Sequence, residues 1–325
     1  MATRLLTKSD IAAVLSMSDC IDAVEAAFLA HSKGETIRPG VLASHVTGGG
    51  FHVKTAGMTT SRAYYVAKVN ANFPDNPRIR NLPTVQGALL LYDATNGALL
   101  AVMDSGEITR LRTAAASAVA ARHMSRRESE TMTICGCGLQ GRAHVDAMMA
   151  VRPIGRIFAH DVHRDTADAF AQEISAARDV SVTAIDTPRE GTMESDIVIT
   201  CTSSKEAFLS LADIRPGTFV AAVGADSESK RELATDLMTG SLVVADIREQ
   251  CATIGDLHNA IAERRMKATD IHGELADVVS GRVPGRRNAA EITVFDSTGT
   301  ALEDVAAAAW AYERAEKVGE INFSG

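Results

Sequence analysis

Thr131-Met-Thr-Ile-Cys135-Gly136-Cys137-Gly138-Leu139-Gln140-Gly141, followed by Arg142-Ala-His-Val-Asp-Ala-Met-Met149, is the stretch that decides the fold. A short apolar strand runs without a spacer into a G-x-G-x-x-G turn, and Ala143 to Met149 continues at helical spacing. The first glycine permits the tight turn, the second lets backbone approach a pyrophosphate, and the third allows close packing of helix on strand. Twenty residues after Gly141, the run Arg156-Ile-Phe-Ala-His-Asp161 ends a second strand on a carboxylate that can accept hydrogen bonds from an adenosine ribose. The turn alone is equally what a plain glycine connection would look like. Strand, loop, helix and distal Asp together predict a dinucleotide site, with Gly136, Gly138, Leu139, Gln140, Gly141 and Asp161 as its contacts. Asp161 repels a 2′-phosphate and so favours NAD(H), while His163 and Arg164 leave NADP(H) open.

Outward from this point the rhythm is strand, helix, strand, helix: Arg156 to Asp161, Thr166 to Ile174, Ile197 to Cys201, Phe219 to Val223 and Leu242 to Ile247. That alternation predicts βαβ units and a parallel sheet. Upstream the pattern differs. Ser18 opens a helical segment, Asp19 to Ser32, with Gly34 as its stop, and residues 41 to 104 form short β-prone runs broken by glycine, with a hairpin signal at Asn96-Gly97. Asp104 and Glu107 open a long Ala-rich helix through about His123. The last helix is read as Ala301 to Val318. The fold class is therefore α/β: a Rossmann dinucleotide-binding domain, 123–301, plus a mixed α/β substrate-binding and dimerisation domain, 1–122 with 302–325.

Composition excludes several classes of function. The 325 residues carry 41 acidic against 33 basic side chains, a net charge of −8, which argues against a general nucleic-acid or anionic-membrane binder. No apolar run approaches the roughly 20 residues that span a bilayer, and the N-terminus has no apolar targeting core, so the chain reads as cytoplasmic. Five scattered cysteines, Cys20, Cys135, Cys137, Cys201 and Cys251, indicate neither a disulfide framework nor a metal site.

Between Thr36 and Pro74 there is no Asp or Glu, yet the stretch holds Arg38, His45, His52, Lys54, Arg62 and Lys68. This local reversal of sign reads either as a cationic wall for an anionic substrate or as lysines on the exposed face of a sheet. On the helix Ile108-Thr-Arg-Leu-Arg-Thr-Ala114, Thr109, Arg112 and Thr113 share one face. Arg110 lies about 200° from Arg112, because each residue turns about 100°. Asp226, just after the strand ending at Val223-Gly224, falls at the carboxyl end of a sheet strand, where ligands collect; the alternative is an N-cap for a helix near Ser229. Thr202 and Ser203 carry the same two readings.

The strings Lys68-Val-Asn-Ala-Asn-Phe-Pro74, Ile108-Thr-Arg-Leu-Arg-Thr-Ala-Ala115, Gly136-Cys-Gly-Leu-Gln-Gly141, Val223-Gly-Ala-Asp-Ser-Glu-Ser-Lys-Arg-Glu-Leu233 and Val294-Phe-Asp-Ser-Thr-Gly-Thr-Ala-Leu-Glu-Asp304 resemble, in order, the ornithine cyclodeaminase/mu-crystallin family. The resemblance implies a homodimer and a small amino or imino acid as substrate. By motif position it makes Lys68, Arg112 and Asp226 the catalytic residues and Arg38 a carboxylate contact. It also implies cofactor contacts at Thr84, Gln140, Asp161, Thr202, Lys230 and Ser297. Where many members carry a Met-Pro-Ala-like turn this chain has Phe51-His-Val-Lys-Thr-Ala-Gly57. His52 and Lys54 would welcome a second substrate carboxylate and would oppose the distal ammonium of ornithine. The leading expectation is an NAD(H)-dependent reductase of a small anionic α-imino acid, in its sharpest form iminosuccinate to aspartate. An ornithine cyclodeaminase, an alanine dehydrogenase and a mu-crystallin-like binding protein are the alternatives.

Overall fold

The computed structural model describes residues 2–323. By its internal contacts the chain divides into Met1–Arg112 with Thr300–Gly325, and Thr113–Gly299. The first division falls inside the helix Ser105–Met124, earlier than the 122/123 boundary drawn from the sequence.

The first unit contains β1 (Thr3–Leu6), α1 (Lys8–Val14), α2 (Met17–Ser32), β2 (Thr36–Val46), β3 (Gly49–Thr59), β4 (Ala63–Asn72), α3 (Asn76–Arg80), β5 (Val85–Asp93) and β6 (Leu99–Asp104), then the start of α4 (Ser105–Met124). Helix α2 starts at Met17, two residues before the expected Asp19. Ser16 is its cap, because only Ser16 has an acid three residues on: Asp19 N–H donates to Ser16 Oγ (3.2 Å), and Ser16 N–H donates to the Asp19 carboxylate (3.4 Å). The β5–β6 hairpin turns where Asn96-Gly97 predicts it, with Gly97 at φ 75°. The C-terminal helix, Ala301–Arg314, stops short of Val318. Arg4 Nη1 takes the Tyr312 and Ala315 carbonyls at 3.0 and 2.9 Å, and a last short strand, Gly319–Ile321, pairs antiparallel with β1. The sheet order is last strand, β1, β6, β5, β4, β3, β2.

Register fixes what this sheet buries. Lys54 lies opposite Lys68, which lies opposite Leu89, which lies opposite Met103. Side chains alternate along each strand, so Lys68 shares its face with Tyr64, Val66, Leu89, Leu91 and Met103, all buried. Helix α2 and the alanine-rich C-terminal helix pack in this unit, the latter against β3 and β4. The opposite face leaves Leu42, Phe51 and Val69 at 65, 42 and 41% exposure.

The second unit is built on an eight-stranded parallel sheet: β7 (Thr131–Cys135), β8 (Arg156–His160), β9 (Ser181–Ala184), β10 (Ile197–Thr200), β11 (Phe219–Ala222), β12 (Leu242–Ala245), β13 (Gly273–Glu274) and β14 (Thr293–Asp296). Its order is β13-β12-β14-β11-β10-β7-β8-β9. Strands β10, β11, β12 and β14 are buried at every residue; β11 and β12 are apolar throughout, while β10 ends on Thr200 and β14 runs from Thr293 to Asp296. The strand order reverses at β7, whose neighbours are β8 and β10, and the carboxyl end of such a switch strand is where an open α/β sheet takes its ligand. Two helices frame that end: α5 (Leu139–Val151) after β7 and α6 (Arg164–Ala177) after β8.

Candidate active site

On the buried face of the first unit, two cations share one carboxylate oxygen. Lys68 Nζ donates to Asp304 Oδ1 at 2.7 Å and Arg112 Nε lies 2.9 Å from the same atom, while Arg112 Nη1 donates to Glu303 Oε2 at 2.6 Å. Glu303 is also the third residue of the C-terminal helix, where its Oε1 accepts from Thr300 N–H as half of a capping box. Thr109, one helical turn before Arg112, presents Oγ1 to Lys68 Nζ (3.3 Å) and to Asn70 Nδ2 (3.5 Å), and Ser105 Oγ donates to Asn70 Oδ1 (2.6 Å). Burial, reinforced by Arg112, pushes the Lys68 ammonium down to about 7; Asp304 opposes that fall. Burial works against ionisation of Asp304, but Lys68 and Arg112 outweigh it and hold the carboxyl below its usual range.

Lys68 is thus 2% exposed, which removes the reading of this stretch as solvent-facing lysines. The cationic wall is narrower than its sequence suggests. Arg62 is taken by Asp93, whereas Lys54 is half-buried, opposite Lys68 and close enough to influence Asp304. His52, two residues along the same strand, is half-buried on the same face; Arg38 is exposed beside the irregularity between Ile37 and Gly40 in β2. Arg110 pairs with Glu107. Thr84 accepts the Phe73 N–H on its carbonyl.

The glycine loop of the second unit sorts its three glycines by cause. Gly136 has φ 104°, and a Cβ there would lie 2.7 Å from the Cys201 carbonyl oxygen. At Gly141 a Cβ would lie 2.4 Å from the Gly136 oxygen, so the third glycine is what seats α5 against the turn. Gly138 has neither reason: its φ is −82°, and a Cβ would meet no atom within 4 Å. Neither backbone conformation nor packing within the chain requires a glycine there. Asp161 accepts from Cys137 N–H (3.0 Å) and His163 N–H (3.0 Å), tying the second strand to the loop. Arg164 is held by Asp168 and Asp186. Leu139 and Val162, at 61 and 86% exposure, are apolar side chains displayed at the two strand-to-helix turns. Beneath the loop, buried His144 joins Gln140 O through Nδ1 (2.8 Å) and Ser117 Oγ through Nε2 (3.0 Å), and burial lowers its pKa to about 4.

At the carboxyl ends of β10 and β11 the organising group is Glu232, which the sequence did not single out. One oxygen accepts from Thr202 N–H and Thr202 Oγ1, the other from Thr200 Oγ1 and Gly224 N–H, all at 2.7 Å. A Cβ at Gly224 would lie 2.4 Å from that carboxylate. Thr202 also accepts from Ser204 N–H, so its hydroxyl is used within the turn. Lys230 donates to Asp226 Oδ1 at 2.6 Å. No helix starts near Ser229, which removes the N-cap role for Asp226. Ser297, at the end of β14, is 1% exposed and its Oγ has no hydrogen-bond partner among the described residues. All five cysteines are unpaired, and no cluster of three or more His, Cys, Asp or Glu suited to a metal ion occurs among the described residues. Nor is any described helix long and apolar enough to cross a membrane.

Residues 1–319 match the ornithine cyclodeaminase/mu-crystallin family. The chain belongs to that family. Among solved structures, an archaeal alanine dehydrogenase dimer with bound NAD is 31% identical, with a TM-score of 0.94 over 99% of this chain and 100% of the other. The Δ1-pyrroline-2-carboxylate reductase of Thermococcus litoralis, in complex with NADH and L-proline, is 33% identical with a TM-score of 0.93, over 96 and 97%. The iminosuccinate reductase of Paracoccus denitrificans, in complex with NAD+, is 25% identical with a TM-score of 0.88, over 97% of each chain. Relatives in the ornithine cyclodeaminase/mu-crystallin family thus include NAD-linked dehydrogenases and imine reductases.

Proposed function

We propose that this protein is an NAD(H)-dependent reductase that converts a small α-imino acid to the L-amino acid, with iminosuccinate, yielding aspartate, as the substrate that suits its side chains best. The observation that carries the reading is the charge arrangement around Asp304. Three cations, Lys54, Lys68 and Arg112, meet the carboxylates Asp304 and Glu303 on a largely dry face. Like charges facing each other across a ladder are unfavourable, and the excess of positive charge suits an anionic ligand. Lys68 and Arg112 would take the α-carboxylate and polarise the C=N carbon, with Arg112 anchored by the hydrogen bond from Nη1 to Glu303. Lys54, with His52 and Arg38 further along β3 and β2, would take a second carboxylate.

The dinucleotide fits the second unit on a cradle that a Cβ at Gly138 would fill. Gly136 to Gly141 would hold the pyrophosphate at the start of α5, Asp161 the ribose, and Thr202, Lys230, Ser297 and Thr84 the remaining contacts. With Arg164 engaged by two carboxylates, NAD(H) is preferred over NADP(H). When bound, the reduced cofactor supplies hydride to the imine carbon. Asp226, paired with Lys230, would hold or pass the proton at the substrate nitrogen. The exposed apolar residues Leu42, Phe51 and Val69 support a homodimer formed through the outer sheet face, the assembly named for the archaeal relative. The test is a screen at 340 nm with NADH, ammonia and oxaloacetate, pyruvate or glyoxylate, beside ornithine with NAD+. NADH consumption greatest with oxaloacetate supports the reading, and ornithine conversion without net NADH change refutes it.

A further inference from the structure

We propose that Asp304 is a positioning residue of the substrate site: one of its oxygens, shared by Lys68 Nζ and Arg112 Nε, sets the spacing of the two cations and favours the ammonium form of Lys68. The inference rests on the reading of Lys68 and Arg112 as the groups that hold the imino acid. Both cations converge on Oδ1, at 2.7 and 2.9 Å, with the carboxylate fully buried. Asp304 Oδ2 is buried and has no hydrogen-bond partner among the described residues. An acceptor left unsatisfied in a dry site is costly, and a lopsided carboxylate of this kind is not what a purely structural ion pair needs.

The groups facing Lys68 are Thr109 and Arg112 from α4, Lys54 from β3, Asn70 from its own strand, Leu89 from β5, and Asp304 with Glu303 behind Arg112 from the C-terminal helix. Burial, Arg112 and Lys54 all favour the neutral amine, whereas Asp304 favours the ammonium through both its charge and its hydrogen bond. Without the Asp304 charge, Lys68 would keep its place on β4 but hold its proton only at pH values below the present one of about 7, so that little ammonium would remain at pH 7.5. Its capacity to attract a carboxylate or polarise C=N would go with the proton.

Asp304→Asn preserves shape and removes the charge. At pH 7.5 kcat/KM for the imino acid is expected to fall roughly tenfold or more, the change in ionised fraction that one pKa unit represents, with NADH affinity about unchanged. The high-pH limb of kcat/KM should move to lower pH by about a unit or more, so that the deficit shrinks as the pH is lowered to about 6. Taking the ratio of variant to wild type cancels the pH dependence of the imine itself. Independently of activity, [13Cε]lysine NMR of the cofactor-free protein, with the Lys68 signal assigned through Lys68→Arg, should show Lys68 titrating at lower pH in the variant. Reduced activity with an unmoved limb and an unmoved Lys68 titration would overturn the proposal. A wild type that reduces no imino acid would refute the functional reading while the NMR titration still judged Asp304. Should Asp304→Asn not accumulate as folded protein, Thr109→Val carries the test. It removes the other acceptor of Lys68, the Lys68 titration should move by less than roughly half a unit, and a shift of a full unit would assign the proton's retention to Thr109 instead.

Discussion

Gly138→Ala separates a dinucleotide cradle from a glycine turn. In the protein by itself the substitution is mild: the backbone is extended at φ −82°, and the new methyl meets no atom within 4 Å. Folding stability should stay within about 1 kcal/mol, the poorer N-cap that alanine makes for α5 being partly offset because alanine restricts the unfolded chain. Binding should suffer. A methyl in the space reserved for pyrophosphate pushes the anion off the N–H groups at the start of α5. Losing one such hydrogen bond to a charged group costs about 1.5–3 kcal/mol, roughly a 10- to 100-fold rise in Kd. The assay is NADH fluorescence titration beside thermal unfolding of the free protein. Gly141→Ala is the contrast: its Cβ would come within 2.4 Å of the Gly136 oxygen and 3.2 Å of Ile134 Cγ2, so it should cost about 1–3 kcal/mol of stability before any ligand is added. An unchanged Kd for Gly138→Ala, or equal loss of melting temperature in both variants, would refute the reasoning.

Asp161→Ala should weaken NADH binding and narrow the preference over NADPH, because the ribose acceptor and the repulsion of a 2′-phosphate vanish together; Michaelis constants for both cofactors measure it. Lys54→Ala should raise the Michaelis constant for the oxaloacetate-derived imine by roughly 10- to 100-fold and hardly alter that for the pyruvate-derived imine, and equal sensitivity of the two would exclude a second carboxylate at that position. His144 should make the protein acid-sensitive. Its pKa is about 4 when folded against 6.5 unfolded, so on acidification the unfolded chain takes up a proton first, and its stabilising contribution, complete above 6.5, is lost between 6.5 and 4. The loss is on the order of 3 kcal/mol. Urea unfolding at pH 7 and pH 4 should show a smaller difference in His144→Gln than in the wild type.

Of the parallel half, β7, β8, β10, β11 and β12 were legible because their runs are mostly apolar and the turn chemistry is local, whereas the partly exposed β9, the two-residue β13 and the polar-ended β14 were not read as strands. Cys135-Gly136 and Asp161 lie within thirty residues of one another, and their geometry depends on little else. By contrast β1 and the last strand were not read from the sequence. They are four and three residues long, and their pairing joins Arg4 to Glu320 across almost the whole chain, so no local period could announce them. The site was read on one side only. Lys68 and Arg112 stood out by charge, whereas Glu303 and Asp304 looked like ordinary acids in a first helical turn, where the helix dipole favours them. A usable signal was present: two acids between Leu302 and Val305 in an Ala-rich helix, in a chain whose interior cations required anions. Glu232 escaped notice for a related reason, since its four donors come from two separate segments, Thr200 with Thr202 and Gly224.

The partners of the buried cations come late along the chain. Arg112 precedes Glu303 by 191 residues and Lys68 precedes Asp304 by 236. At ribosomal rates of about 5–20 residues per second, roughly 10 to 40 seconds separate the synthesis of Arg112 from that of its carboxylate. In that interval β2 to β5 have their turns and their apolar residues, but closing them into a dry layer would bury two positive charges without counterions, which costs several kcal/mol. Closing that layer therefore costs less once the final helix supplies both carboxylates. The residues read as gripping the substrate thus also tie closure of the sheet energetically to the last helix of the chain.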